Sequence, residues 1–325
     1  MERYSMVKYS AAFAMLLFAA SVAHSQAFPS KPLRIVVPYE PGGAVDLAAR
    51  DVAPKASEDL GQPIVIENRG GAGSQIGALQ VARSAPDGYT FMFTVSATHA
   101  LSKFASKNLP FDPVKDFTPI IGPVDTVLSI AASTALPPNN MSELIDYAKA
   151  NPGKLSYGTT AVGGSTHLAM EEVARLTGAS WVHIPFKGGG PITVNLVGNQ
   201  LPLGALPLAP LMSQVKAGKI KVIAVFGAKR FSDLPNVGTV NEAVPQYEHL
   251  EGGIWVLGPA GMPRPIVQRL NAAITKGVLD PSARAKLEAR GQIVSVSSAE
   301  VFATQFVKAT ELAGVMFKRA GLQPE

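Results

Sequence analysis

The stretch LRIVVPYEPGGAVDLAAR, residues 33–50, combines an apolar strand, a turn rich in proline and glycine, and the start of a helix. Two consecutive glycines, Gly42 and Gly43, permit a tight turn and let a ligand approach the main chain closely. The first N–H groups of a helix lack intrahelical acceptors, and the helix dipole adds positive charge there. The stretch predicts a turn that binds an anion such as a carboxylate or phosphate, although a single Pro-Gly-Gly also fits an ordinary strand-to-helix connection.

A second stretch repeats this order of strand, glycine turn and helix start. Residues 155–158 are predicted to form a strand, and TTAVGGSTHL follows at residues 159–168. Ser165 or Thr166 can cap the helix that begins there. Two anion-binding turns in one chain favour a ligand that is held from both sides in a cleft.

Short β-branched runs alternate with helical patterns of about 10–15 residues along the rest of the chain, which is typical of parallel α/β layers. The first helix is predicted at residues 45–60 and contains Pro54. A proline in a helix interior costs about 3 kcal/mol, so we predict a kink or break near Ala53.

Several polar side chains are candidates for the same cleft. Ser96 and Thr98 follow a third predicted strand, at the sheet edge where the first glycine turn lies. A neutral imidazole of His99 or His167 could donate a hydrogen bond to a ligand, but a lone histidine is more often structural. His183, inside a predicted strand, is expected in the core.

Asp46 lies in the first turn of the first helix. Its carboxylate would repel an anionic ligand. We therefore expect it to accept amide hydrogen bonds and brace the glycine turn, in preference to direct contact with the ligand.

The N-terminus predicts export. Arg3 and Lys8 precede the apolar run AAFAMLLFAASV at residues 11–22, which is too short to span a bilayer. Ser25 and Ala27 then supply the small residues of a cleavage site, so residues 1–27 are predicted to be a secretory signal peptide. No cysteine follows that could carry a lipid, and we expect a soluble periplasmic protein.

Composition excludes several classes of function. The chain has 325 residues, a net charge of +5 and no cysteine, so disulfides, iron–sulfur clusters and thiolate zinc sites are excluded. Its basic residues are scattered, without the clusters that nucleic-acid binding needs. No cofactor or metal is predicted. Without residues 1–27 the length suits two domains of about 150 residues each.

Motifs along the whole mature chain, in order and with the expected spacing, resemble the Bug family, the substrate-binding proteins of tripartite tricarboxylate transporters. They are PSKPLRIVVPYEPGGAVD (29–46), IENRGGAGSQIGA (66–78), APDGYT (85–90), LPFDPVKDFTPI (109–120), NPGKLSYGTTAVGGSTHL (151–168), HIPFKG (183–188), VKAGKIKVIAV (215–225) and GPAGMP (258–263).

The resemblance implies an α/β fold of two lobes, each a sheet flanked by helices, as in type II-like periplasmic binding proteins. Lobe 1 would comprise residues 28–125 and 253–325, and lobe 2 residues 126–252. A small carboxylate would bind in the cleft between them and pass to membrane permease subunits, with the protein a monomer. The expected ligand-binding residues, from the resemblance and the side chains above, are Pro41, Gly42, Gly43, Ala44, Asp46, Ser96, Thr98, Thr160, Gly163, Gly164, Ser165 and His167.

One stretch departs from the family pattern. Relatives usually have an Asp or Asn before the KAG helix, whereas this chain reads NQLPLGALPLAPL at residues 199–211, with Leu206 and Pro207 at those positions. An apolar wall would leave the ammonium of an amino acid uncompensated. We therefore expect a carboxylate with an apolar or aromatic body.

Two other functions are weighed against transport. A secreted hydrolase would need a distant base, because Ser165 and His167 are two residues apart at a helix start, where their side chains diverge. The glycines of GAGSQIG miss the dinucleotide-binding spacing by one residue. A ligand-dependent partner of a membrane sensor kinase remains the alternative that the same fold could serve.

Overall fold

The computed structural model describes residues 28–227, 229–249 and 252–324, so the predicted signal peptide lies outside the described residues. The strands are β1 (Leu33–Val37), β2 (Ile64–Asn68), β3 (Thr90–Val95), β4 (Phe117–Thr126), β5 (Leu128–Ser133), β6 (Leu155–Thr159), β7 (Trp181–Pro185), β8 (Leu203–Pro207), β9 (Ile220–Phe226), β10 (Gly253–Pro259) and β11 (Gln292–Val294).

The helices flank these strands and confirm the predicted α/β class. They are α1 (Ala44–Leu60), α2 (Gln75–Ala82), α3 (Ser96–Ala105), α4 (Met141–Ala150), α5 (Ser165–Thr177), α6 (Gly189–Val197), α7 (Met212–Lys216), α8 (Val240–Ala243), α9 (Arg264–Leu279), α10 (Pro281–Ala289) and α11 (Ala299–Arg319), with short 3₁₀ turns at Ala72–Ser74 and Ala209–Leu211. In the described ranges, none of these helices is long and apolar enough to cross a membrane.

The strands form two sheets, with spatial orders β11-β4-β10-β3-β1-β2 and β7-β6-β8-β5-β9. Both sheets are mixed, which corrects the expectation of parallel layers. Strands β1, β2 and β3 are mutually parallel, as are β6, β7 and β8, but β10 runs antiparallel to β3 and β4, and β5 runs antiparallel to β8 and β9. The antiparallel strands are those that join the two sheets.

The chain crosses between the sheets at two neighbouring places. Strand β4 of the first sheet passes through Val127 into β5 of the second, and the chain returns from β9 to β10 at Gly253. The N–H of Thr126 donates to the carbonyl of Gly252 at 3.0 Å, which ties the two crossings together. A side chain at Gly253 would collide with the carbonyl of Val124, so this position accepts only glycine.

This crossing makes the carboxyl ends of the parallel strands in the two sheets face each other. Val95 at the end of β3 pairs with Ile254 at the start of β10. In the other sheet, Pro207 at the end of β8 pairs with Leu128 at the start of β5. The turns that follow β1, β2 and β3 therefore lie opposite those that follow β6, β7 and β8, which provides a cleft between two lobes.

The C-terminal helix α11 links elements of both sheets. It packs on β4 and α3, and its last turn reaches α5, which follows β6 of the other sheet. There Arg319 donates to the buried carboxylate of Glu172 at 2.7 Å. A Cβ on Gly163 would lie 3.4 Å from atoms of Phe317 and Leu322, so the end of the chain packs beside the second glycine turn.

The structure differs from the sequence-based expectations at Pro54, where a kink or break was predicted and no break occurs, and at strand β4, which was not predicted. Helix α1 continues through Pro54 without the predicted break, because Pro54 lies on the exposed side, where water can reach the carbonyl that loses its amide donor. The strand β4 was not predicted, since its sequence FTPIIGPVDT contains two prolines. Irregular register with β10 accommodates them.

Candidate functional site

The first glycine turn is shaped by a hydrogen bond to a buried carboxylate. Gly42 has φ +83°, a left-handed conformation that favours glycine, and its N–H donates to Asp46 Oδ2 at 2.8 Å. Gly43 is extended and caps α1, so Asp46 is the third residue of the helix. The same carboxylate accepts from Asn68 Nδ2 at 3.1 Å and from Arg50 Nε at 3.0 Å.

These contacts give Asp46 the bracing role predicted from the sequence. The residue is 1% exposed. Burial alone would raise the pKa of its carboxyl, but hydrogen bonds from Arg50, Gly42 and Asn68 outweigh burial and hold the pKa below its usual value. Asp46 stays ionised and its charge is compensated within the protein. The turn is thus fixed before any ligand arrives.

The second glycine turn has the same construction with a different side chain. Gly163 has φ +70°, Gly164 is extended and caps α5, and the third helical residue is His167. The N–H of Gly163 donates to His167 Nδ1 at 2.8 Å. GGAVD in the first turn and GGSTH in the second share this spacing, which is the sequence signal that the analysis of separate side chains missed.

Both turns leave main-chain donors open. In the described part of the chain, the N–H groups of Gly43 and Ala44 at the first turn, and of Ser165 and Thr166 at the second, have no protein acceptor. Pro41, Gly42, Gly43 and Ala44 are exposed, as is Thr160, while Gly163, Gly164 and Ser165 are half-buried. Each turn can therefore donate main-chain hydrogen bonds to an anion.

Ser96 and Thr98 lie where the sequence predicted them, at the carboxyl end of β3. They are part of helix α3, which begins at Ser96 directly after the strand. Ser96 is buried and Thr98 is half-buried. The structure therefore brings a third helix start to the edge that carries the first glycine turn.

His99 has the structural role that the sequence analysis favoured. It is fully buried, its Nε2 lies 2.8 Å from the carbonyl of Pro113, and its ring packs edge-on against Phe117 with centroids 4.8 Å apart. Burial lowers the pKa of His99 to about 4, which keeps the ring neutral at pH 7. It is not available to a ligand in the cleft.

The expectation that His183 lies in the core is wrong. It is half-buried on β7, which is an edge strand, because β7 pairs only with β6. Its ring stacks on His167 with centroids 3.8 Å apart, and its Nε2 lies 2.7 Å from the hydroxyl of Thr159. The two histidines form a pair behind the second turn.

The apolar stretch before α7 is divided between core and edge. Leu206 is fully buried in a cluster with Ile192 and Leu196 of α6, and Pro207 is half-buried at the carboxyl end of β8. A cavity of about 710 Å³ lies beside the two crossings, next to β9 and β11, and is lined by residues such as Phe231, His249 and Gln292. Within the described ranges, no group of three His, Asp or Glu side chains could hold a metal ion.

Residues 48–319 match the family "Tripartite tricarboxylate transporter family receptor". The chain belongs to this family. A UPF0065 protein of Bordetella pertussis is 34% identical over 283 residues, which cover 87% of each chain.

Solved structures of similar sequence share the fold of this receptor. The periplasmic binding protein BugD is 31% identical, covers 92% of this chain and 100% of its own, and has a TM-score of 0.71. An R. palustris protein with adipate is 31% identical, covers 92% of this chain and 100% of its own, and has a TM-score of 0.74. MatC from Rhodopseudomonas palustris with bound malate is 28% identical, covers 89% of this chain and 99% of its own, and has a TM-score of 0.70.

These matches confirm the resemblance to Bug-type receptors and the two-lobed fold. The family consists of solute-binding receptors and not of enzymes, which agrees with the binding function that the resemblance implied. The hydrolase alternative is therefore set aside.

Replacing Asp46 tests the brace of the first turn. We expect Asp46→Ala to lower the free energy of unfolding by about 1–3 kcal/mol at pH 7, because it leaves buried donors without an acceptor. Since the folded-state pKa is lowered, this contribution is present above the unfolded-state pKa and is lost as the pH falls through the folded value. Urea unfolding at pH 7 and below pH 4 measures both effects.

The exposed Asp146 on α4 provides the control. Asp146→Ala should change the unfolding free energy by less than about 0.5 kcal/mol. Equal losses for the two variants would contradict the bracing role.

Proposed function

We propose that this receptor captures a small carboxylate between its two lobes in the periplasm and delivers it to the membrane permease of a tripartite tricarboxylate-type transporter. The observation that carries the proposal is the pair of facing glycine turns, each with open N–H donors at the start of a helix. The proposed ligand-binding residues lie in the two turns and at the start of α3. They are Pro41, Gly42, Gly43, Ala44, Thr160, Gly163, Gly164, Ser165, Ser96 and Thr98, with Asp46 and His167 holding the two turns in place.

The chemistry of the turns supports a carboxylate. Main-chain N–H groups and the hydroxyls of Ser165 and Thr160 can hold a charged oxygen without an arginine, and hydrogen bonds to a charged acceptor are stronger than neutral ones. The adipate and malate carried by two related structures are both carboxylates. Pro207, half-buried at the end of β8, offers no partner for an ammonium group, which favours a ligand with an apolar body over an amino acid. A thermal-shift screen of carboxylates would identify it, because a ligand that binds only the folded state raises the melting temperature.

Residues 1–27 are proposed to direct export and to be removed after Ala27. Protein purified from the periplasm should then begin at Phe28 when sequenced from its N-terminus. Recovery of a chain that still begins at Met1 in the cytoplasmic fraction would contradict this.

Gly43→Val tests whether main-chain donors bind the ligand. Gly43 has φ −74°, and a Cβ there meets only the carbonyl of Glu40 at 3.6 Å, so the fold should tolerate valine. The larger side chain should block the approach of the carboxylate and weaken binding at least tenfold. Ser165→Ala removes one hydroxyl donor and should cost about 1.5–3 kcal/mol of binding free energy.

Calorimetric titration with the carboxylate from the screen measures both variants. Ser142→Ala is the matched control, because Ser142 is exposed in the first turn of α4, at the opposite edge of the same sheet. If all three variants bind like the unmodified protein, the two-turn site is wrong.

We propose that the ligand closes the two lobes, residues 28–125 with 253–325 and residues 126–252, by rotation about the crossings near Thr126 and Gly253. The radius of gyration from small-angle scattering should fall when the carboxylate is added. A non-binding compound at the same concentration controls for solvent contrast. An unchanged radius at saturation would argue against a hinge at the crossings.

A further inference from the structure

We propose that His167 and His183 are positioning residues for the second glycine turn, and that carboxylate binding requires the acceptor ring, His167, to be neutral. The proposal rests on the function proposed above and adds a proton dependence to one of the two turns. It is carried by the hydrogen bonds through which the two rings reach the backbone of residues 159–164.

His167 must act as an acceptor. Its Nδ1 receives the N–H of Gly163 at 2.8 Å, so in this arrangement its proton is on Nε2, which lies 3.9 Å from Glu171 Oε1. A proton added to Nδ1 would remove the acceptor and place two N–H groups against each other. Gly163 would then lose the bond that holds it beside the open donors of Ser165 and Thr166.

His183 must act as a donor. The hydroxyl of Thr159 donates to the carbonyl of Ala161 at 3.1 Å, so its oxygen receives the N–H of His183 Nε2 at 2.7 Å. This chain of two hydrogen bonds fixes the first half of the turn, while His167 fixes the second half.

The stacking of the two rings disfavours charge on either. Their planes are 17° apart and their centroids 3.8 Å apart, so two positive rings would repel each other strongly. Burial lowers the pKa of His167, and burial with the neighbouring His167 lowers the pKa of His183 to about 4. Both rings are therefore neutral at pH 7.

The other ionisable groups around the pair do not supply a strong counter-charge. Glu171 on α5 accepts the hydroxyl of Tyr157 from β6 at 2.6 Å and raises the pKa of His183 only partly. Farther along α5, Glu172 is paired with Arg175 and with Arg319 of α11. Acidification therefore places positive charge on the histidine pair without a nearby group that strongly compensates it.

The first turn is the internal control. There Asp46 accepts the equivalent N–H, from Gly42, and hydrogen bonds hold the pKa of its carboxyl below the usual value, so it stays ionised in mild acid. Acid should loosen only the turn of the second lobe, and the receptor should lose affinity as the pH falls through the pKa of His167.

A titration without ligand tests the assignment directly. In ¹H–¹⁵N spectra recorded from pH 7.5 to pH 4.5, the amide resonance of Gly163 should move with the protonation of His167, while that of Gly42 stays constant. In His167→Asn, whose amide oxygen remains an acceptor at every pH, the Gly163 resonance should stay constant. A static Gly163 in the unmodified protein, or the same movement in the variant, would overturn the proposal.

Binding at two pH values tests the consequence, with adipate as the probe. Adipate itself takes up protons in acid, so the informative quantity is the affinity of the unmodified protein relative to His167→Asn. This ratio should fall by up to tenfold per pH unit below the pKa of His167. His249→Asn alters a histidine that lines the cavity beside the crossings and not the second turn, and it should keep the pH dependence of the unmodified protein.

The two failures are distinguishable. A ratio that is constant through the pH range in which the Gly163 resonance moves would overturn the proton dependence of binding while leaving carboxylate binding intact. Absence of adipate binding at pH 7.5 would count against the proposed function for this ligand, and the Gly163 titration would still decide the role of His167.

Discussion

The same kind of hydrogen bond occurs in both glycine turns and fixes the conformation of the main chain there. A glycine in the left-handed conformation donates its N–H to the side chain of the third residue of the following helix, from Gly42 to Asp46 and from Gly163 to His167. The bond uses the amide that would otherwise compete for the ligand site, and it holds the next N–H groups in place. Preorganised donors of this kind lose little freedom when an anion binds.

The crossing of the chain between the sheets places the two glycine turns on opposite sides of one cleft. Strand β4 continues almost directly through Val127 into β5. This short connection makes the carboxyl ends of the two sets of parallel strands face each other. The antiparallel strands at the crossing reverse the direction of the second sheet relative to the first. Gly253 and the bond from Thr126 to Gly252 keep the two crossings adjacent.

The two turns differ in the charge of the side chain that accepts the glycine N–H. Asp46 carries a permanent charge that Arg50, Asn68 and Gly42 compensate, whereas His167 and His183 are a neutral pair partly enclosed between α5 and β7. Helix α11 adds a third link between the lobes, where Arg319 meets Glu172 beside the second turn. A closing motion must therefore accommodate the packing of Phe317 and Leu322 against Gly163.

The sequence by itself determined the α/β class, both glycine turns, the bracing role of Asp46 and the family, because strand patterns, Gly-Gly pairs and motif order are local properties of the chain. Tertiary structure decided the mixed sheets, the strand β4 with its two prolines, and the position of His183. These depend on partners far away in sequence: β10 accommodates Pro119 and Pro123, and the place of β7 at the edge of its sheet leaves His183 half-buried and stacked on His167. A side chain that accepts a hydrogen bond across a turn can be recognised from spacing, but which ring stacks on it is fixed only when the strand and the helix pack together.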